Sequence, residues 1–314
     1  MADAHDTYGH LNAACTRRLV FRIGHDAGFY SEYNNMVLAI LYCLRHCIRF
    51  EMFSAESPLL GPTGWTTFFR SFCVESPDTR HRVYNYRHPR SCLSIVLQPG
   101  YRLARWRFKM ASAVDFLTAD VWRQARAQRL DPSPIALPAL GIDGTLRDAC
   151  RAIVHLTYRL NDETRSAVEH LAARLQLPPR YAGLHIRGGD KRRQSPVHHP
   201  DEYMARLRAV STLRDVFVLT DDHHAFTHLV RSHPEYTFRT LCSPPESGYD
   251  HGRFLGDSEE NKRRQMLNLL TSIEVLRQAE EFVGTFSANP GAFLGMAMPP
   301  DRVHGLDRTA WLIH

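Results

Sequence analysis

The chain has 314 residues, room for one large domain or two of ordinary size. Its 44% apolar and 23% charged content are globular proportions, and no window approaches 18 uninterrupted apolar residues, so no membrane span is expected. The net charge is +6, with Arg far in excess of Lys, which suits a phosphate-bearing ligand as well as it suits plain solubility.

The first residues lack a basic stretch followed by an apolar one, so no secretory signal is expected. The seven cysteines (Cys15, Cys43, Cys47, Cys73, Cys92, Cys150 and Cys242) are irregularly spaced and contain no C-x-x-C. They read as reduced thiols in a reducing compartment, and the expected location is the cytoplasm unless the chain is a piece of a secretory-pathway protein.

In chain order, residues 19–23 read as a strand and residues 24–35 as a glycine loop containing Glu32. Val37, Ile40, Leu41 and Leu44 place a helix over 36–47, and 48–53 alternates as a second strand. This is a β-α-β opening, and its glycine loop offers free N–H groups to a polar ligand or serves as a plain connection. Residues 64–72 are rich in aromatics and either pack on the first sheet or line an acceptor groove. Arg102, Arg105, Arg107 and Lys109 alternate with apolar residues around Trp106, as a basic strand face or a solvated one. Helices are expected over 114–128, over 146–156 and from Asn161, the last ending at Pro178-Pro179. The domain boundary is placed there, giving an acceptor-side domain over 1–176 and a nucleotide-binding domain over 177–314.

From 177 onward strands and helices alternate regularly. Strands are expected at 182–186, 216–219, 236–241, 281–285 and 302–306, and helices at 200–210, 223–232, 261–278 and 289–298. Repeated β-α with apolar strands means a parallel sheet covered on both faces, and such sheets bind ligands at the carboxyl ends of their strands. Those ends hold His185, Arg187, Asp190 and Lys191, then Thr220, Asp221 and Asp222, then Thr285, Phe286 and Ser287 before a helix start. A guanidinium, hydroxyls and a helix N-terminus on one edge are what a diphosphate needs. There is no G-x-G-x-x-G after a strand and no P-loop, which leaves ordinary nicotinamide binding and Walker-type chemistry without support. His198-His199 and His223-His224 have no third ligand at fitting spacing, so no metal is expected. Lys and Arg do not cluster with aromatics, and no nucleic-acid partner is expected.

The segment His185-Ile186-Arg187-Gly188-Gly189-Asp190-Lys191 resembles the His-Val-Arg-Arg-x-Asp-Lys segment of the GDP-fucose-dependent fucosyltransferases, nearest to the α1,6 type. The similarity continues in register at residues 199–204, at 217–222, and from Leu276 to Ser287, with a weaker match at the glycine loop 28–35. The resemblance implies a GT-B-like α/β fold with two Rossmann-like domains facing a cleft. It implies inverting transfer of fucose from GDP-fucose to a glycan hydroxyl, without a divalent metal or other cofactor. Arg187 would take the diphosphate, His185 would lie near the base, Tyr203 beside the donor, Ser287 near a phosphate, and Asp221 and Asp222 at the donor edge. Three positions depart from the pattern. The second Arg is Gly188, the Glu four residues after the Lys is Ser195, and the guanine-reading Asp falls at Ser272, with Asn268 one turn earlier. The general base therefore rests among Glu32, Asp190 and Asp201. The alternatives are transfer from another nucleotide sugar, or an inactive nucleotide-sugar or glycan-binding protein.

Overall fold

The computed structural model describes residues 4–25, 27–87, 97–188, 198–246, 248–308, 311 and 313, and its backbone divides into two compact units, residues 1–161 and 162–314. In the first unit, helix α1 (Ala4–Ala14) precedes strand β1 (Arg17–Arg22), helix α2 (Phe29–Arg45) and strand β2 (Ile48–Phe53). β1 pairs in parallel with β2 on one side and with β3 (Phe116–Leu117) on the other. α2 starts seven residues before the expected helix, so most of the glycine loop is its first two turns. Its polar opening hid the helix from periodicity, because Glu32, Asn34 and Asn35 are buried along with the apolar residues.

The aromatic segment 64–72 is core and no groove lining. Trp65 is fully buried and stacks on Phe69 and Tyr33, while Phe69 stacks on Phe29. The Arg-rich stretch forms helix α3 (Tyr101–Ala111) and no strand. It buries Tyr101 and Phe108, and Arg105 and Lys109 both bind Asp120 of helix α4 (Thr118–Ala127). Residues 131–138, read as a break, instead lead into a small antiparallel pair, β4 (Ile135–Leu137) with β5 (Ile142–Gly144), turning at Gly141 with φ +67. Helix α5 (Leu146–Thr157) follows, capped by the Thr145 hydroxyl.

Helix α6 (Asp162–Ala173) opens the second unit, fifteen residues before the expected boundary at 176/177 (162 against 177). The physical reason is packing: α6 lies on the long helix α10 (Glu259–Gln278), with an Arg263–Glu163 ion pair at 2.6 Å. Pro178-Pro179 ends no domain; it only separates α6 from the sheet.

That sheet comprises β6 (Ala182–Ile186), β7 (Asp215–Thr220), β8 (Thr237–Arg239), β9 (Glu281–Gly284) and β10 (Val303–Gly305), all parallel, in the order β10-β9-β6-β7-β8. Numbered within the unit, this is 5-4-1-2-3, the doubly wound Rossmann order. Between the strands run α7 (Pro200–Val210), α8 (His223–Ser232), the short α9 (His251–Leu255), α10 and α11 (Asn289–Ala297). Every residue of β6 is buried, because helices cover both faces. Ala182, Leu184, Ile186, Val216, Val218 and Val283 pack with Tyr203, Met204 and Leu207 of α7, and each buried aliphatic chain of this size stabilises the fold by about 1.5–3 kcal/mol. Gly183 lets α10 approach: a Cβ there would lie 2.5 Å from the Leu276 side chain. No helix among the described residues is long and apolar enough to cross a membrane.

Candidate functional site

The strand order reverses between β6 and β9, so the crevice at their carboxyl ends is the topological switch point, where open α/β sheets receive ligands. His185 is the fourth of five residues in β6 and Arg187 follows the strand directly. After β9 come Thr285, Phe286 and Ser287, and then the N-terminus of α11. His185, Arg187, Thr285, Phe286 and Ser287 thus lie at the strand ends where the sequence pattern put them.

His185 is only 3% exposed, and its Nδ1 has no hydrogen-bond partner among the described residues. Burial first, and the Arg187 guanidinium second, push its imidazole down to about 4 against a smaller pull from Asp221. It is therefore neutral at physiological pH, with an unfilled polar atom held inside the switch point. Gly291, in the first turn of α11, makes room for it: a Cβ there would lie 2.1 Å from the Thr285 carbonyl and 3.6 Å from His185 Nδ1. The helix N-terminus and the imidazole are thus packed against each other by the absence of a side chain.

The neutral histidine has a consequence for acid stability. In the unfolded chain an imidazole takes its proton below about 6.5, whereas in the fold His185 stays neutral down to about 4. The unfolded state binds more protons in that window, so stability is lost as pH falls from about 6.5 to about 4 and is complete above it. Urea midpoints measured across that range should fall with pH more steeply for the wild type than for His185→Gln. Equal slopes would contradict the buried neutral state.

Asp221 is the corner of the site. Its Oδ1 accepts from the Gly188 N–H at 2.7 Å and its Oδ2 from the Tyr249 N–H at 3.0 Å, with the Arg187 Nε 3.8 Å from Oδ2. The carboxylate so ties the end of β6 to residues 248–249 and orients the guanidinium. Gly188 is where this corner closes, since a Cβ would lie 3.0 Å from the Asp222 Cβ and 3.3 Å from Asp221 Oδ1. The missing second Arg of the resembled motif thus coincides with a tight approach of the Asp221-Asp222 turn. Asp222 itself caps α8, accepting from the His224 N–H at 2.9 Å, and is 7% exposed. This corrects its expected place at the donor edge: its carboxylate is spent on a helix end.

Tyr203 is 1% exposed and cannot present its ring to a ligand. Burial pushes its phenol up, while its hydroxyl bonds with the Thr285 hydroxyl and the Arg187 backbone. It fastens the two strand ends together from behind. Phe286 is also core, 2% exposed and packed on Gly305 and Gly295, which corrects its expected role as a donor contact. The Phe286 and Ser287 N–H groups both donate to Asp307, at 2.8 and 2.9 Å. Burial pushes the Asp307 carboxyl up, but the Ser287 hydroxyl and these amides outweigh it and hold the group below its ordinary range. Asp307 was missed by sequence reasoning. It lies twenty residues from Ser287 with no motif around it, and it takes the two amides that seemed free for a phosphate.

Ser272 lies on α10, one turn before Leu276, which packs on Gly183. Ser272 is buried, 3% exposed. Its hydroxyl donates to the Asn268 carbonyl at 2.8 Å and keeps only acceptor capacity for a ligand.

The carboxylates offered as general base are also committed. Glu32 belongs to the first unit and is 3% exposed; it accepts from the Gly24, His25 and Ala27 N–H groups. A carboxylate held by three amides is a poor proton acceptor, and this corrects its expected catalytic role. Asp201 is held by His228 at 3.0 Å and His233 at 2.9 Å, which removes it too as a free base. Asp190, Lys191 and Ser195 lie outside the described residues.

Fold and site together define a doubly wound α/β unit with a guanidinium, hydroxyls and a neutral buried histidine at its switch point. No protein-family model and no curated protein matches the sequence. Solved structures do match the fold. NodZ α1,6-fucosyltransferase soaked with GDP-fucose has a TM-score of 0.53 over 90% of this chain and 94% of that one, at 13% identity. NodZ from Bradyrhizobium has the same TM-score, identity and coverage. A point mutant of Arabidopsis thaliana FUT1 in complex with GDP has a TM-score of 0.51 over 98% of this chain and 78% of that one, at 10% identity. The chain shares the fold of these fucosyltransferases.

Proposed function

We propose that the chain is a glycosyltransferase that moves fucose from GDP-fucose to a glycan hydroxyl, with inversion and without a divalent metal. The observation that carries this reading is the pairing of Arg187 with the neutral, unfilled His185 at the β6/β9 switch point. The likeness to structures holding GDP-fucose and GDP supports it. In this reading the two units form a GT-B-like pair facing a cleft, and the second unit holds the donor.

The acceptor hydroxyl attacks the anomeric carbon as the bond to the β-phosphate oxygen breaks. GDP leaves, and the charge that develops on it meets the Arg187 guanidinium, which does the work a divalent cation does in other transferases. Neutral His185 adds no second charge and suits a hydrogen bond on the donor. Ser287 and Thr285 line the phosphate side, and Asn268 and Ser272 the base side. The acceptor proton passes to a carboxylate, for which Asp190 stays the candidate once Glu32 and Asp201 are set aside.

A second reading has its own support. The described carboxylates offered as base are committed, and Gly188 stands where the resembled motif has Arg. This suits a protein that binds a nucleotide sugar without transferring it. One experiment orders the readings. GDP is expected to raise the melting temperature while UDP and ADP leave it unchanged; equal shifts for all three would remove the guanine assignment. Incubation with GDP-fucose and mixed glycan acceptors should then release GDP, and binding without release would favour the second reading.

A further inference from the structure

Four side chains in the second unit meet where the start of α7 packs against α8. His199 is the N-cap of α7 and Asp201 its second residue; His228 lies in the last turn and a half of α8, and His233 just beyond it. His199 Nδ1, whose long cap bond from the Asp201 N–H at 3.4 Å an ion would replace, is 3.2 Å from Asp201 Oδ2, and His228 Nε2 is 3.0 Å from Asp201 Oδ1. One ligand atom from each of His199, Asp201 and His228 lies within 4.8 Å of the others. The sequence hid this trio, because its third member comes from a helix 27 residues on from Asp201.

We propose that His199, Asp201 and His228 bind a divalent transition ion, with Zn²⁺ the best fit. Around a tetrahedral zinc at ordinary bond lengths, neighbouring ligand atoms sit about 3.3 Å apart. The two nearest separations here already approach that value before any ion enters. Two imidazoles and one carboxylate favour zinc over magnesium or calcium, which prefer all-oxygen shells. Three protein ligands leave a fourth position for water.

The partner shell is built as well. The Arg208 guanidinium donates to His233 Nδ1 at 2.8 Å, which places the His233 proton on Nε2. That Nε2–H donates to Asp201 Oδ1 at 2.9 Å. A carboxylate aimed by a histidine whose tautomer is itself fixed is the usual support of a metal ligand. His228 joins the ion by shifting its proton from Nε2 to Nδ1, so no net charge is lost from the ring. His233 is mostly buried and acts as the positioning residue, while His199 and His228 remain open to solvent. The site shares no residue with Arg187 or His185. It would instead clip α7 to α8, two residues before Tyr203, which fastens the strand ends.

Equilibrium dialysis of the full chain with Zn²⁺, and the visible spectrum of the Co²⁺-loaded chain, test this. One equivalent should bind with a tetrahedral cobalt spectrum, and excess Mg²⁺ or Ca²⁺ should not displace it. His228→Gln and Asp201→Asn should each weaken binding at least tenfold, and His233→Gln by about tenfold. His199→Gln, at an exposed cap, gives the same reading should His228→Gln fail to fold. His170→Gln on α6 and Cys47→Ser should bind as the wild type does. Absence of stoichiometric binding, unchanged affinity in both His199→Gln and His228→Gln, or its loss in Cys47→Ser would overturn the site.

Discussion

Arg187→Ala is expected to lower GDP affinity about a hundredfold, as loss of a charge-assisted bond worth up to ~3 kcal/mol requires. The guanidinium is the only side-chain cation among the described residues proposed for the diphosphate, and its Nε lies 3.8 Å from Asp221 Oδ2. That ion pair is a minor contribution to the fold, about 0–1 kcal/mol. The melting temperature should therefore drop by no more than roughly 2–4 °C. Arg187→Lys separates charge from shape. It keeps the cation but loses the planar fork, and should recover part of the affinity without reaching the wild type. Isothermal titration with GDP reads both variants. Affinity within twofold of wild type for Arg187→Ala would remove the switch-point site as the place where diphosphate binds.

The carboxyl-terminal sheet was legible because its strands are buried on both faces. β6 reads as an unbroken apolar run, and the β-α alternation fixed where its end would lie. What was illegible is how polar groups are consumed. Asp221 and Asp222 stand together in sequence, yet one ties two loops and the other caps a helix. Asp307 reaches the Phe286 and Ser287 amides across twenty residues, and only tertiary folding brings them together. Tyr203 reads as a ligand contact by resemblance, while its hydroxyl in fact joins the two strand ends. In the first unit the short strands β3, β4 and β5 gave no periodicity to detect, each having two or three residues.

Glu32 shows the same effect with the largest expected cost in stability. Glu32→Ala should destabilise the first unit by about 3 kcal/mol, because three backbone N–H groups lose one buried acceptor. The loop they belong to has no ready substitute. Gly24 sits at φ +85, where a Cβ would run into Ser57, and the Ser57 hydroxyl already donates to the Gly24 carbonyl. Two of the three amides, those of Gly24 and His25, share Oε2, while Ala27 holds Oε1. Glu32→Gln keeps one acceptor oxygen but turns an amide NH2 toward a donor, so it should recover only part of the loss. Thermal unfolding then decides between clamp and catalyst. A clamp predicts a fall of roughly 6–12 °C in the alanine variant, with turnover per folded molecule retained below the transition. A general base predicts the reverse, an unchanged melting temperature and turnover lost in both variants. With Oε1 and Oε2 both accepting from amides of its own loop and the side chain 3% exposed, Glu32 is placed as a clamp, and the clamp is the outcome the geometry favours.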